Sequence, residues 1–320
     1  LAKVKIAIVG DFLMKRPVIA SARRKGRGFE FHSLLRPVRP YLRRADVTIG
    51  NLETTFSGYS GPGVKGNGYP TESRHPRTGY PRFNCPDELA SALKAAGFDV
   101  MVTANNHSMD GGTHGLKRTL AVLDWHGLKH TGTYRSAQGA GAPLIVRSNG
   151  LRIAILSYTM GTNSIPVPQP WLVNKIGSAD RIKAMIRKLR SQTDFIIVYL
   201  HFGREFRTYP SDGQKRLMNE LLYQGANAVV GAHPHVLHPV RRIRSRDRDG
   251  RLLTRVVASS LGNFVSKKLR NREDSITGLI LEMTVRKNGR KPADISGVRR
   301  IKTKVRSDRG RGYRVVPLSK

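Results

Sequence analysis

The chain reads as an α/β protein built on a mostly parallel sheet with helices outside it, and three observations predict this. Short apolar runs rich in Ile and Val, such as "LRIAIL" at 151–156 and "DFIIVYL" at 194–200, have the length and β-branched content of buried strands. Stretches with helical spacing of apolar residues lie between them, so strands and helices alternate. Carboxylate, amide and imidazole residues stand directly after the apolar runs, and functional groups in such sheets gather at the carboxyl ends of the strands.

Taken in order, residues 3–9, "KVKIAIV", form a first strand that ends at Gly10-Asp11, and 46–50, "DVTIG", form a second that ends at Asn51. The stretch between them carries ten Lys or Arg against one acid, Glu30, so it supplies a short helix near Phe31–Leu35 and otherwise a basic face. Gly and Pro are dense from Gly58 to Pro86, which predicts a long flap of the kind that carries substrate contacts. A helix starts at Pro86 or Asp87 and ends at Gly97, and "FDVMVT" at 98–103 is a buried strand. A helix over roughly 114–126 leads to "GLKHTGT"; then come strand "LRIAILSY", helix 179–190, strand "DFIIVYL", helix 212–224 and strand "NAVV". Beyond 235 two strands flank an Asp-Gly turn at 249–250, and "SITGLILEMTV" adds another. The tail, 286–320, holds thirteen Lys or Arg against Asp294 and Asp308 and contains the β-like "VRRIKTKV". The expected division is a main domain over 1–285 and a basic C-terminal extension over 286–320, packed as extra strands at the edge of a second sheet.

Charge is the dominant bulk property: 57 Lys and Arg against 22 Asp and Glu give a formal +35. Such a field concentrates polyanions, whether nucleic acid, anionic polymer or membrane surface. The "SARRKGRG" run at 21–28 and the basic tail can track a phosphate or carboxylate polymer. Aromatic residues make up 7% of the chain and are poorly interleaved with the basic ones, which argues against single-stranded nucleic acid. The single cysteine, Cys85, excludes an intramolecular disulfide and a Cys-based zinc site. No apolar run is long enough to span a bilayer, and "VKIAIVGDFL" is too short and too soon charged for a signal peptide. Trp125 and Trp171 are assigned to packing, and His32, His75, His114, His126, His130 and His238 belong to no constellation.

The polar residues at strand ends form one set: Asp11, Glu53, Asn105-Asn106-His107, His201, and His233-Pro234-His235. Carboxylate, amide oxygen and imidazole together suit one or two divalent ions such as Mn, Fe or Zn. A bridging carboxylate would hold two cations close and leave room for an oxyanion across both. His233 precedes a proline and is expected in extended geometry, fanning the two imidazoles apart, while Gly231 and Ala232 allow close backbone approach. Asn263 in "SLGNF", the "KRP" at 15–17 and Arg204 in "HFGREF" are candidate substrate contacts.

"VGDFLM", "GNLETTFSG", "YPRFNCPDELASALKAAGFDVMVTANNHSMDGG", "HFGREF", "GAHPHVLHPV" and "SLGNFVS" follow one another in this chain, and the series resembles that of the CapA-type capsule or poly-γ-glutamate synthesis proteins. That family is a branch of the calcineurin-like metallophosphoesterases, and the resemblance runs from about Val4 to Ser266. It implies a four-layer αββα sandwich with a metal centre at the strand ends. Carried over, Asp11 binds one metal with His235, Glu53 bridges, and Asn106, His201 and His233 bind the second ion. His107 takes the place of the histidine that protonates the leaving group, with Asp110 and Glu205 orienting the histidines. Arg204, Asn105 and Asn263 are the expected substrate-binding residues. Two departures stand out: the superfamily usually begins Asp-x-His, whereas Asp11 is followed by Phe12 and Leu13, and Glu53 stands where its bridging residue is usually Asp. One of the two metal positions therefore has a thinner ligand set.

The expectation that follows is a metal-dependent protein of capsule or poly-γ-glutamate synthesis or processing, with other capsule-synthesis proteins as further partners. Two alternatives use the same residues: an active phosphatase or phosphodiesterase, including a nuclease, and a non-catalytic module that binds an anionic polymer. The resemblance implies a cell-surface location through an N-terminal anchor; the chain as written, starting at Leu1, would be cytoplasmic if complete.

Overall fold

A computed structural model of the chain describes residues 1–26, 28–61, 69–177, 179–308, 310 and 312–318. Residues 62–68 of the expected flap, Arg27 of the basic run, and 309, 311, 319 and 320 of the tail lie outside the described residues.

The strands assemble into two large sheets. In the first, the order is Gly312–Pro317, Asp294–Asp308, Thr277–Lys287, Ala2–Phe12, Val47–Asn51, Val100–Val102 and Lys129–Thr131, with Asn263–Val265 pairing at the end of Ala2–Phe12. In the second, it is Val240–Arg246, Leu252–Ala258, Ala228–Ala232, Phe195–His201, Leu151–Thr159 and Leu144–Ser148. The strands that carry the candidate ligands pair in parallel: Ala2–Phe12 with Val47–Asn51, Val47–Asn51 with Val100–Val102, and Phe195–His201 with Ala228–Ala232. Parallel pairing requires crossovers, and these bring every carboxyl end to one edge. The tail strands Asp294–Asp308 and Gly312–Pro317 extend the first sheet, the one holding Ala2–Phe12, where the sequence placed them on a second.

Alternation along the strands explains how the sheets pack. Ile6 and Ile8 face a core shared with Ile153, Phe195, Ile197 and Tyr199 of the other sheet, while Ala7 and Val9 face the opposite way, against Leu89 and Leu93 of helix Glu88–Ala96 and Leu120 of helix Gly112–Trp125. In Phe195–His201 every residue is buried; Ile196, Val198 and Leu200 pack on helices Ala179–Leu189 and Asp212–Gln224. Three apolar clusters thus alternate with the two sheets, with helices covering both outer faces. The helices form where the sequence supplies their boundaries. Ser211 and Gln214 make a reciprocal capping box at the start of Asp212–Gln224, and Gly97 in the left-handed region ends Glu88–Ala96.

Several elements differ from expectation. Leu144–Ser148 pairs antiparallel with Leu151–Thr159 through Asn149-Gly150, both at positive φ, a hairpin turn whose Asn-Gly signal stands in the sequence. Short helices Arg16–Ser21 and Arg39–Leu42 punctuate the basic stretch beside the expected His32–Leu35. Trp125 is 87% exposed at the end of its helix and packs no core, whereas Trp171 packs against the first cluster. Cys85 is buried and free. Among the described residues no helix is long and apolar enough to cross a membrane.

Candidate metal centre

Asp11, Glu53, His201 and His235 are buried at the carboxyl edge, each supplied by a different strand end. Two groups of side chains bring ligand atoms within 4.8 Å of one another: Asp11, Glu53 and His235, and Glu53, His201 and His233. Glu53 belongs to both. Its Oε1 lies 3.4 Å from His201 Nε2, and its Oε2 lies 3.9 Å from His235 Nδ1. Asp11 Oδ2 lies 3.2 Å from His235 Nδ1 and accepts the His233 backbone N–H at 3.3 Å. Asn106 Oδ1 meets His201 Nε2 at 2.7 Å, so the amide expected at the second position sits beside that histidine.

The backbone that carries the paired histidines is left-handed. His233 has φ 96° and His235 φ 59°, so the extended geometry expected before Pro234 is not adopted at His233. The rings stand 6.0 Å apart at 55° and serve different groups, with His233 4.9 Å from the His201 ring. Gly231 makes the approach feasible, since a Cβ there would lie 2.3 Å from the Ser259 carbonyl oxygen.

The electrostatics of this group are set by burial. Both Glu53 oxygens and His233 Nδ1 are buried and, among the described residues, have no hydrogen-bond partner. Burial, reinforced by the Asp11 charge, pushes the Glu53 carboxyl up to about 8. Burial also disfavours a charged His235, but the carboxylates of Glu53 and Asp11 outweigh it and raise that imidazole to about 9. Burial lowers His201 and His233 to about 3, which leaves both neutral and fit to ligate. Two adjacent buried carboxylates, one with no hydrogen bond, together with neutral imidazoles match what a divalent cation needs.

The remaining expected residues fall into three positions. His107 and Asp110 pair at 2.7 Å through Nδ1, and Asp110 Oδ2 also accepts the Phe83 backbone N–H at 2.6 Å. The His107 Nε2 is thereby turned inward, 4.0 Å from Glu53 Oε1. Asn105 and Asn263 are buried behind the centre. Asn105 donates to Leu52 O at 2.8 Å and to Asn51 Oδ1 at 3.2 Å, and accepts from His107 N at 3.0 Å. Asn263 holds His235 Nδ1 at 3.0 Å and donates to Ser275 O at 2.7 Å. Both ends of these amides are engaged within the protein, and Asn263 Oδ1 shares the His235 nitrogen that faces Asp11 and Glu53. Glu205 is exposed and lines the cavity of about 350 Å³ over the centre, with no hydrogen bond to a histidine among the described residues. Arg204 is exposed and outside the set lining this cavity, where the cations are Lys15, Arg74, Lys267, Lys268 and Arg270.

Sequence reasoning passed over Asn51. It is fully buried, and its Nδ2 lies 2.7 Å from Asp11 Oδ1 and 3.1 Å from His201 Nδ1. The signal that singled out Asp11 and Glu53, a polar residue ending an apolar strand, applied to it equally. Lys15 of the "KRP" candidate reaches the cavity, where it pairs with Glu72 at 3.1 Å and lies 4.6 Å from the Phe83 ring.

The chain is 28% identical over 293 residues to the PGA biosynthesis protein CapA of Bacillus subtilis, covering 88% of this chain and 68% of that protein. It is 27% identical over 274 residues to the capsule biosynthesis protein CapA of Bacillus anthracis, covering 82% and 60%. The match therefore spans about two-thirds or less of these relatives' own length. Among solved structures, a putative 5'-nucleotidase from Staphylococcus aureus has a TM-score of 0.53 at 13% identity, covering 99% of this chain and 55% of that one. The 5'-nucleotidase precursor from Thermus thermophilus has a TM-score of 0.52 at 13% identity, covering 98% and 55%. These likenesses show an α/β fold shared with the two nucleotidases. Residues 5–268 match the family model of the bacterial capsule synthesis protein PGA_cap, and the chain belongs to that family.

Proposed function

We propose that the chain is a metal-dependent protein of capsular polyanion synthesis or processing, acting at Asp11, Glu53, Asn106, His201, His233 and His235. The observation that carries this reading is Glu53, shared by two ligand groups with both carboxylate oxygens buried and, among the described residues, unbonded. Asp11, His235 and Glu53 would hold one cation; Asn106, His201, His233 and Glu53 would hold the second. When bound, divalent cations there polarise an oxyanion and acidify water. Asn51 and Asn263 keep Asp11 and His235 in place, and Asn105 fixes the loop that carries His107. The cationic cavity wall orients an anionic chain over the centre. The relatives named for PGA and capsule biosynthesis support poly-γ-glutamate or a similar polymer as the substrate class, with other capsule-synthesis proteins as partners.

A second reading, hydrolysis of phosphate esters, is favoured by one further observation: Asp110 fixes His107 with its free nitrogen turned to the centre, as a proton donor to a leaving group requires. Metal analysis of the purified protein beside a His233→Ala/His235→Ala variant tests the shared premise. The expected result is about one or two equivalents of Mn, Fe or Zn, lost in the variant. A wild-type protein that takes up no metal on titration would overturn both readings. Turnover of a generic aryl phosphate by the loaded protein, abolished by His107→Ala, then selects the second.

A further inference from the structure

We propose a second, metal-independent site for a polyanion, at the end of the molecule opposite the candidate metal centre. A cavity of about 400 Å³ opens where the strands of the second sheet begin, lined by Asp194, Ile196, Asn227 and Leu253 among others. Strand Phe195–His201 runs from its wall to the metal centre, so the two lie about 20 Å apart at the rise of a strand.

Six cations line this cavity: Arg152, Arg190, Arg251, Lys287, Arg290 and Lys291. Its two acids are turned to these neighbours. Asp194 accepts from Lys287 Nζ at 2.6 Å, from the Arg152 backbone N–H at 2.8 Å and from Arg152 Nε at 3.3 Å. Asp247 accepts from Arg190 Nη2 at 2.9 Å, and Asp249 meets the same guanidinium at 2.5 Å. These contacts aim three cations and leave each with further N–H donors. The side chains of Arg251, Arg290 and Lys291 make no hydrogen bond or ion pair among the described residues. Even with Asp249 counted, cations exceed carboxylates two to one.

Like charges gathered in a partly enclosed space raise the energy of the empty cavity, and an oxyanion offsets that cost. Guanidinium forks match carboxylate and phosphate oxygens alike, and the volume exceeds what a single small ion needs. The ligand class is therefore a chain bearing at least two carboxylates or phosphates. Because the site holds no candidate metal ligand set, it stands apart from the function proposed above.

Calorimetric titration of the full chain in EDTA, near physiological ionic strength, tests it with inorganic tripolyphosphate and a γ-linked glutamate oligomer as probes. Arg251→Gln/Arg290→Gln/Lys291→Gln alters the exposed cavity residues, and Arg299→Gln/Lys302→Gln/Arg306→Gln makes the same charge change on strand Asp294–Asp308. The cavity variant is expected to lose at least about tenfold in affinity and the control less than about twofold. Whichever probe binds under this pattern identifies the oxyanion. Equal weakening in both variants, or no binding of either probe by the wild type, overturns the site.

Discussion

The Asn51 side-chain amide donates to the Asp11 carboxylate at 2.7 Å, tying together the ends of two adjacent parallel strands in the floor of the candidate centre. The same nitrogen lies 3.1 Å from His201 Nδ1, across the interface between the two sheets. One buried amide therefore sets the relative position of a carboxylate from one sheet and an imidazole from the other.

Replacing Asn51 by Ala leaves Asp11 Oδ1 buried and short of a partner. The expected loss is about 1–3 kcal/mol of stability, measured by denaturant unfolding of metal-free protein. Metal affinity should fall as well, since both strand ends lose their brace. An Asn51→Ala protein with wild-type stability and metal content would mean that the amide merely fills space.

Glu53→Gln should act in opposite directions on the two forms of the protein. In the metal-free form a carboxyl raised to about 8 contributes stability that is full below its unfolded value of 4.5 and is lost as pH rises through 8. His235, raised from 6.5 to about 9, adds a loss of the same sign. Below 6.5 the lowered His201 and His233 act with the opposite sign, so metal-free wild type should become less stable from about pH 6.5 to pH 9, and Glu53→Gln should flatten part of that slope. Cation binding must expel these protons, so wild-type metal affinity should rise with pH over the same interval. Thermal melts and metal titrations at several pH values check both, and a pH-independent affinity would remove Glu53 from the ligand set.

Asp110→Asn addresses the proton-transfer pair. The amide can still contact His107 Nδ1, but it no longer favours the orientation and charge that a donor to a leaving group needs. Phosphate ester turnover should fall about 10–100-fold with metal content unchanged. A parallel loss of metal would instead assign Asp110 to the architecture of the centre.

Much of this centre was legible because parallel sheets gather polar strand ends, and Asp11, Glu53, Asn106, His201, His233 and His235 all obey that rule. What escaped was direction. Asn105 and Asn263 stand at the expected strand ends, but which partners their amides take, the Leu52 carbonyl for one and the His235 ring for the other, is a choice that only the packed loops determine. Arg204 shares its loop with Glu205, but the cavity takes its cations from segments distant in sequence, Lys15, Arg74 and 267–270. The proline after His233 predicted extended backbone, and the tight turn that brings its imidazole beside His201 overrode that preference. Leu144–Ser148 was missed although Asn149-Gly150 announced its turn.

Gly231→Ala tests whether the left-handed turn of the paired histidines depends on close packing beneath it. A Cβ at 231 would sit 2.3 Å from Ser259 O and 2.8 Å from Phe202 Cε1, and the first of these is backbone that cannot swing aside. Phe195–His201 and Ala228–Ala232 pair in register through Leu200 and Gly231, so any shift at 231 passes directly to His201, His233 and His235. The substitution should cost about 1–3 kcal/mol by overpacking. It should also weaken metal binding by more than that stability loss explains, because three ligands move together. Gly79→Ala is the control: Gly79 has a positive φ and no atom within 4 Å of the place a Cβ would take, so the substitution strains the backbone without a clash at the centre. If both variants bind metal as tightly as wild type, the close approach at Gly231 serves the sheet alone, and the turn at His233 holds its shape without it.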